Sequence, residues 1–153
     1  MDQLARDIIR GVISYIYGLS TLRRLNGDFR IETSRTGGLR RIYLGNELIF
    51  VIRANDGRPL PTLSGARYID KVVIVRREAA PFIKQGRSVM ARFVVDIRNA
   101  VPGDEVAVYS EDGELLGIGR LLLSRDEALS VDRGVVVKLR HHVSEPNDQV
   151  TNQ

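Results

Sequence analysis

The chain of 153 residues contains no cysteine. Disulfide bonds and thiolate metal sites are therefore excluded, and a reducing cytoplasm is the natural compartment. Histidine is equally scarce, because only His141 and His142 occur, and neighbouring residues of a strand point to opposite faces. We therefore expect no metal site, no cofactor and no catalytic triad built on histidine.

Long apolar runs are missing as well. Charged side chains such as Asp2, Arg6 and Arg10 interrupt the first apolar stretch, and no cleavage site for a signal peptide follows it. The other apolar runs are far shorter than the roughly 20 residues that a membrane-spanning helix requires. We expect a soluble protein that does not enter a membrane.

Lysine is rare in an otherwise basic chain. Lys71, Lys84 and Lys138 are the only lysines among 23 basic residues, so arginine dominates a net charge of +4. The planar guanidinium group pairs with phosphate and stacks on bases, which favours nucleic-acid binding. An arginine-rich surface of the kind found in thermophiles is the alternative.

The first 69 residues predict a small α+β domain. Apolar residues from Leu4 to Tyr17 recur at helical spacing and predict a helix over residues 3–17, with Asp2 as its N-cap and Gly18 at its end. We interpret its broad apolar face as core, with a partner or membrane surface as the alternative. Three short runs between turn signals then predict a three-stranded sheet over Phe29–Thr33, Arg40–Leu44 and Glu47–Ile52.

The segment after this sheet is rich in proline. Pro59 and Pro61 predict an extended connection, and Ser64 is placed to cap a short helix over residues 64–69. A domain boundary near Asp70 follows, because a new strand begins at Lys71.

Residues 70–142 predict a small, closed β-structure, because strand-length apolar runs alternate with Gly, Pro and Asp. Asp112-Gly113 predicts a two-residue hairpin of type I′. Gly117 and Gly119 predict either a bend or the close approach of another backbone. After His142, residues 143–153 show no periodicity and predict a disordered tail.

Charge is unevenly distributed in this second half. Basic residues crowd its first third, whereas acidic residues gather between Asp104 and Asp132. This segregation predicts a barrel with one basic and one acidic side.

The order of these segments resembles the PUA domain, an RNA-binding pseudobarrel of pseudouridine synthases and archaeosine transglycosylases. The resemblance depends on a glycine after a short helix at Gly86, the strand entry GDEV, the Asp-Gly hairpin, the strand GIGR and the closing VVVKLR. Together with the preceding segment, residues 38–140 resemble the C-terminal portion of archaeal archaeosine tRNA-guanine transglycosylases. The fold that this implies is a small N-terminal α+β domain followed by a PUA-like β pseudobarrel.

The resemblance also implies a binding surface for structured RNA, with tRNA as the expected ligand. In PUA domains this surface is formed by the helix after the first strand, the glycine loop, the next strand and the last strand. On this sequence the matching positions are Lys84, Gly86, Arg87, Ser88, Arg92, Lys138 and Arg140. Solvated surface charges, and a plain helix C-cap at Gly86, are the alternative interpretations.

The catalytic domain of the transglycosylase family has no counterpart in this chain, because its aspartates and its Cys/His zinc site need far more residues and at least three cysteines. We therefore expect no enzyme but an RNA-binding protein. One alternative is an accessory subunit that supplies these domains in trans to a catalytic subunit. Another is a protein-interaction module without RNA affinity. The sequence leaves the oligomeric state open.

Overall fold

The computed structural model of the chain describes residues 3–25 and 29–144. The chain divides into two compact units, Met1–Asp70 and Lys71–Gln153. The predicted N-cap Asp2 and most of the predicted tail lie outside the described residues. In the part of the chain that is described, no helix is long and apolar enough to cross a membrane.

The first unit packs helices on an antiparallel sheet. Helix α1 spans Gln3–Tyr17, the range that the sequence predicts, and α2 spans Leu19–Arg24 after Gly18, whose φ is 93°. The sheet has four strands in the order β1-β2-β3-β4. Their bounds are Arg30–Thr33, Leu39–Leu44, Glu47–Ile52 and Pro59–Pro61.

The fourth strand corrects the prediction of a three-stranded sheet. Pro59 and Pro61 do form an extended segment, but this segment pairs with β3 as an edge strand, the place where a missing N–H is tolerated. The helix predicted after it is a 3₁₀ turn over Gly65–Tyr68. Ser64 makes no capping hydrogen bond there; the Thr62 hydroxyl accepts the N–H of Gly65 instead, at 3.0 Å.

The buried face of α1 is narrower than the sequence predicts. Ile9, Ile13 and Tyr17 are buried, and the Tyr17 ring lies 5.4 Å from that of Phe50 on β3. The Tyr17 hydroxyl donates to the carbonyl of Pro59 at 2.6 Å. Leu4 and Ile8 are exposed, whereas Val12 and Ile16 are half-buried, so the apolar face is not core along its whole length.

The second unit contains one curled six-stranded sheet and two short helices. The strand order is β6-β10-β9-β8-β5-β7, with β5 and β8 parallel and the other pairs antiparallel. Helices α3 and α4 span Ala80–Lys84 and Arg125–Ser130. In chain order, strands β5 to β10 span Val72–Val75, Val89–Met90, Val94–Arg98, Glu105–Ser110, Leu115–Leu121 and Val135–His142.

A short connection forces this sheet to curl. The strands at its two ends, β6 and β7, are consecutive in the chain and are joined by the single 3₁₀ turn Ala91–Phe93. The end strands of a flat six-stranded sheet would lie roughly 24 Å apart. Four Cα steps from Met90 to Val94 span at most roughly 14 Å. The sheet therefore closes on itself as a pseudobarrel, and the predicted fold class is confirmed.

The hairpin between β8 and β9 is not the predicted type I′ turn. The N–H of Gly113 donates to the carbonyl of Ser110, and that of Ser110 to the carbonyl of Glu114, both at 2.9 Å. The loop therefore has three residues, and only Gly113 needs the left-handed region, with φ at 89°. Asp112 is not in the left-handed region, and its N–H donates to the Ser110 hydroxyl at 3.2 Å.

Two basic residues of the predicted basic side lie beside acidic residues. Lys71 and Lys84 pair with Asp104 and Glu114, with the ammonium nitrogen 3.0 and 2.8 Å from the nearest carboxylate oxygen. These basic and acidic residues are far apart in the sequence, but they come together because β8 and β9 fold next to β5 and α3. Lys71 and Lys84 therefore do not lie on a separate basic side, and the segregation of the remaining charges stays a prediction.

Gly117 and Gly119 on β9 allow β10 to approach closely. A Cβ atom on Gly119 would lie 2.2 Å from the carbonyl oxygen of Lys138, and one on Gly117 would lie 2.7 Å from that of His141. Both distances are shorter than van der Waals contact, so only glycine fits. The predicted close approach of a backbone is confirmed.

We expect Gly119→Ala to destabilise the protein by about 1–3 kcal/mol, because the added methyl group must displace the β10 backbone. Urea unfolding of the full chain measures the change. Gly11→Ala is the matched control, since a Cβ on this exposed helical glycine meets no atom within 4 Å and alanine favours a helix. Equal urea midpoints for Gly119→Ala and the native chain would contradict the steric argument.

Candidate nucleic-acid interface

The turn at Gly86 directs the chain from α3 into β6. The N–H of Gly86 donates to the carbonyl of Ile83 at 2.9 Å, and that of Arg87 to the carbonyl of Phe82 at 3.1 Å. These two bonds form a Schellman motif, and Gly86 adopts the φ of 91° that the motif requires. Gly86 is therefore a helix C-cap. The residue is also exposed, so a ligand can reach the turn.

Two arginines and two aromatic rings form a cluster next to this turn. Phe82 on α3 stacks on Phe93, with ring centroids 6.2 Å apart and an interplanar angle of 25°. The Cζ of Arg87 lies 5.6 Å from the centroid of Phe82, and that of Arg92 lies 4.8 Å from the centroid of Phe93. We call Phe82, Arg87, Arg92 and Phe93 the arginine–aromatic cluster.

The cluster surrounds a small cavity. Its volume is about 80 Å³, and the rest of its lining is Ala79, Ile83, Ser88, Val89 and Met90. Phe82 is 42% exposed although it is a large apolar residue, so one part of its surface remains in contact with solvent. An exposed ring beside two cations is the arrangement that stacks a base and holds the adjoining phosphate.

Both arginines of the cluster are available to a ligand. Arg87 and Arg92 are exposed, and within the described residues neither forms an ion pair with a carboxylate. Arg92 also borders a larger groove of about 510 Å³, whose lining includes Arg76 and the acidic residues Glu78, Glu111 and Asp132. The cluster therefore presents two positive charges that form no ion pair with a described carboxylate.

The other predicted site residues do not line this cavity. Arg140 donates from Nε and Nη2 to one oxygen of the buried Glu105 carboxylate, at 2.9 and 2.7 Å. Lys84 is paired with Glu114, as described above. Lys138 is exposed on β10 and lies opposite Arg120 of β9. The structure thus brings together Gly86, Arg87, Ser88 and Arg92, whereas Lys84, Lys138 and Arg140 lie outside the cavity.

The two histidines at the end of β10 differ in their surroundings. A Cβ on Gly86 would lie 3.0 Å from Nε2 of His142, so this ring lies close to the α3–β6 turn. Burial, followed by the charges of Arg140 and His142, lowers the pKa of His141. His141 is therefore uncharged at neutral pH and adds no positive charge to this end of the barrel.

Sequence reasoning missed the aromatic half of the cluster. Phe82 stands five residues before Arg87, and Phe93 directly follows Arg92. Aromatic residues interleaved with arginine are a signal for binding of single-stranded nucleic acid, and the signal was present.

Within residues 3–25 and 29–144, no three carboxylate or histidine side chains lie close enough to hold a metal ion.

Comparisons with solved structures identify the fold. A hypothetical protein from Pyrococcus horikoshii superimposes with a TM-score of 0.76 at 24% identity, covering 99% of this chain and 97% of that one. A conserved PUA domain protein from Thermoplasma acidophilum gives a TM-score of 0.62 at 17% identity over 92% and 95% of the two chains. The fold is therefore that of PUA domain proteins.

Comparisons of sequence identify both units. Residues 71–143 match the PUA domain, and residues 7–74 match the patch-forming domain C2 of tRNA-guanine transglycosylase. The chain thus carries a C2 domain of this type followed by a PUA domain, which confirms the resemblance found in the sequence. The match to the C2 domain includes most of α1, which the resemblance starting at residue 38 did not cover.

Curated proteins that are similar in sequence to this chain include archaeal tRNA-guanine(15) transglycosylases. That of Methanothermobacter thermautotrophicus is 38% identical over 88% of this chain, and that of Methanocaldococcus jannaschii is 34% identical over 86%. The matched part is 22% of the length of each relative. The chain therefore spans less than a quarter of the proteins that it resembles.

We expect Arg140 to act mainly in stability. Arg140→Leu leaves the buried Glu105 carboxylate without its cation and should destabilise the protein by about 3–5 kcal/mol. Arg87→Leu, at an exposed position, should change stability by no more than about 0.5 kcal/mol. Urea unfolding compares the two variants. Equal stability of both variants would show that the Arg140–Glu105 pair is dispensable.

Proposed function

We propose that this chain is a cytoplasmic RNA-binding protein without catalytic activity of its own, and that its ligand is tRNA. Residues 70–142 act as the docking domain, and residues 1–69 form a separate α+β domain. The observation that carries the proposal is the arginine–aromatic cluster beside Gly86 within the PUA domain. The relatives are named for an activity on tRNA, which supports tRNA as the RNA.

The cluster has the groups that an RNA end needs. The guanidinium groups of Arg87 and Arg92 neutralise phosphates, and the exposed ring of Phe82 stacks an unpaired base. Gly86 is exposed beside the cluster, and only glycine fits there without strain, because its φ is 91° and a Cβ would lie 3.0 Å from Nε2 of His142. The cavity of about 80 Å³ is too small for a whole nucleotide, so the base lies on the surface of the cluster.

Charge reversal tests the phosphate contacts. Arg87→Glu/Arg92→Glu should lower affinity for total tRNA and reduce the slope of log affinity against log salt by roughly 1.5, because two cationic contacts are lost. Gel shifts across a salt series measure both. Arg98→Glu/Arg125→Glu is a control with the same change of charge at exposed positions outside the cavity.

The control variant should keep most of the affinity once urea unfolding has shown that it is folded. Equal losses in both double variants would indicate a general effect of charge and not a site. If the native chain binds no RNA at low salt, the proposal fails, and a protein-interaction module becomes the better description.

Replacement of the exposed ring tests the stacking contact. Phe82→Leu keeps an apolar side chain but removes the stacking surface, which is worth about 1–3 kcal/mol per base. We expect a matching loss of affinity for an RNA hairpin with an unpaired 3′ end and an unchanged salt slope. A blunt-ended hairpin of the same stem serves as the control ligand, and an equal loss on both RNAs would contradict stacking.

The share of the relatives that this chain covers favours a second candidate function. Because it spans 22% of their length, the chain could supply RNA-binding domains in trans to a catalytic tRNA-modifying subunit. Weak RNA binding alone, together with co-purification of a transglycosylase catalytic subunit from the native organism, would support this role. Tight RNA binding by the isolated chain favours the stand-alone function.

A further inference from the structure

The positive net charge of the chain lies in the first unit. Residues 1–70 contain 11 basic and 7 acidic residues, whereas residues 71–153 contain 12 of each. All 11 basic residues of the first unit are arginine. The net attraction of the chain for a polyanion such as RNA therefore comes from the unit that does not contain the arginine–aromatic cluster.

The first unit contains a cavity of about 440 Å³ at one end of its sheet. Its apolar walls are Leu39 at the start of β2 and Val51 and Ile52 at the end of β3, and we call it the hairpin cavity. Ligand pockets commonly have volumes of roughly 300–1,000 Å³. The hairpin cavity lies within this range, so a group of the size of a nucleotide, for which the cavity beside Gly86 is too small, fits here.

Two hydroxyl groups supply hydrogen bonding at the hairpin cavity. The Oγ of Ser34 and the Oγ1 of Thr36, both on the connection between β1 and β2, lie 3.0 Å apart. The Ser34 hydroxyl also accepts the N–H of Gly38 at 3.1 Å, so the hairpin itself holds it in place. One hydroxyl of the pair donates to the other, which leaves one hydroxyl hydrogen for an oxygen of a ligand.

Arg40 gives the hairpin cavity an available positive charge. It is exposed, and within the described residues it forms no ion pair with a carboxylate. Its neighbour Arg41 donates from Nη1 to Glu32 at 2.8 Å, so Glu32 offsets the charge of Arg41. Among the described residues that line this cavity none is acidic. The groove of about 510 Å³ beside Arg92 has three carboxylates in its lining, so an anion is favoured in the hairpin cavity and not in that groove.

We propose that the hairpin cavity binds one unpaired nucleotide of the RNA. Its phosphate contacts Arg40 and the hydroxyl pair of Ser34 and Thr36, and its base lies against the apolar walls. An unpaired nucleotide fits the cavity best, because a paired base would first have to leave its helix at a cost in free energy. This inference rests on the proposed function and extends RNA binding to the first unit.

Charge reversal at Arg40 tests the phosphate contact. Arg40→Glu should weaken the binding of total tRNA about tenfold, because a hydrogen bond to a charged group is lost. It should also reduce the slope of log affinity against log salt by roughly 0.7. Arg67→Glu makes the same change of charge at an exposed position of the first unit outside the cavity and should bind tRNA nearly as tightly as the native chain.

Filling the cavity tests the place of the nucleotide without a change of charge. Ala54 lines the cavity and is exposed, so Ala54→Trp adds bulk there without disturbing the core. We expect a several-fold loss of tRNA affinity with an unchanged salt slope, whereas Asn55→Trp, at the next exposed position outside the lining, should bind like the native chain. The amide resonance of Gly38 should shift when oligouridine is added to the native chain, and this shift should be absent in Ala54→Trp.

The outcomes separate this inference from the proposed function once urea unfolding has shown that every variant is folded. If the native chain binds tRNA but Arg40→Glu binds no more weakly than Arg67→Glu, the hairpin cavity is not an RNA site, and the proposed function stands. A native chain that binds no tRNA refutes both. A titration with the four nucleoside 5′-monophosphates identifies the source of the nucleotide. Saturable binding that Arg40→Glu abolishes, with unchanged tRNA affinity, would assign the cavity to a free nucleotide and overturn its assignment to RNA.

Discussion

The three-residue connection between β6 and β7 is the constraint on which the second unit depends. It joins the two end strands of a six-stranded sheet, so the sheet must curl until these strands are neighbours. The same connection contains Arg92 and Phe93, which closure brings beside Phe82 of α3. The geometry that closes the barrel therefore also assembles the arginine–aromatic cluster, and a change in the connection affects fold and site together.

Burial separates the arginines of this barrel into two roles. Arg140 on β10 reaches across β9 to pair with Glu105 on β8, whose side chain is almost completely buried. A carboxylate in the interior is tolerated only when a cation pairs with it. Arg87 and Arg92 lie on aromatic rings at the surface and keep their charge available. In the sequence all three are basic residues at positions that match the RNA surface of PUA domains, and only the fold distinguishes them.

Features that depend on local sequence were predictable, and those that depend on register were not. The helix over 3–17 follows from its apolar period, and the close approach at Gly117 and Gly119 follows from two glycines on one strand face. The pairing of Lys84 with Glu114 depends on how a hairpin folds beside α3, which periodicity does not encode. The hairpin type was wrong because the Ser110 hydroxyl, a side chain outside the two-residue signal, stabilises a longer loop.

The stacking of the two arginines has a consequence for the entropy of binding. A free arginine side chain loses roughly 1.5–2 kcal/mol of rotamer freedom when a ligand immobilises it. Arg87 and Arg92 are already restricted by the rings of Phe82 and Phe93, so part of this loss occurs during folding and not during association. The aromatic rings therefore act twice, as surfaces for a base and as supports that hold the cations in place before the RNA arrives.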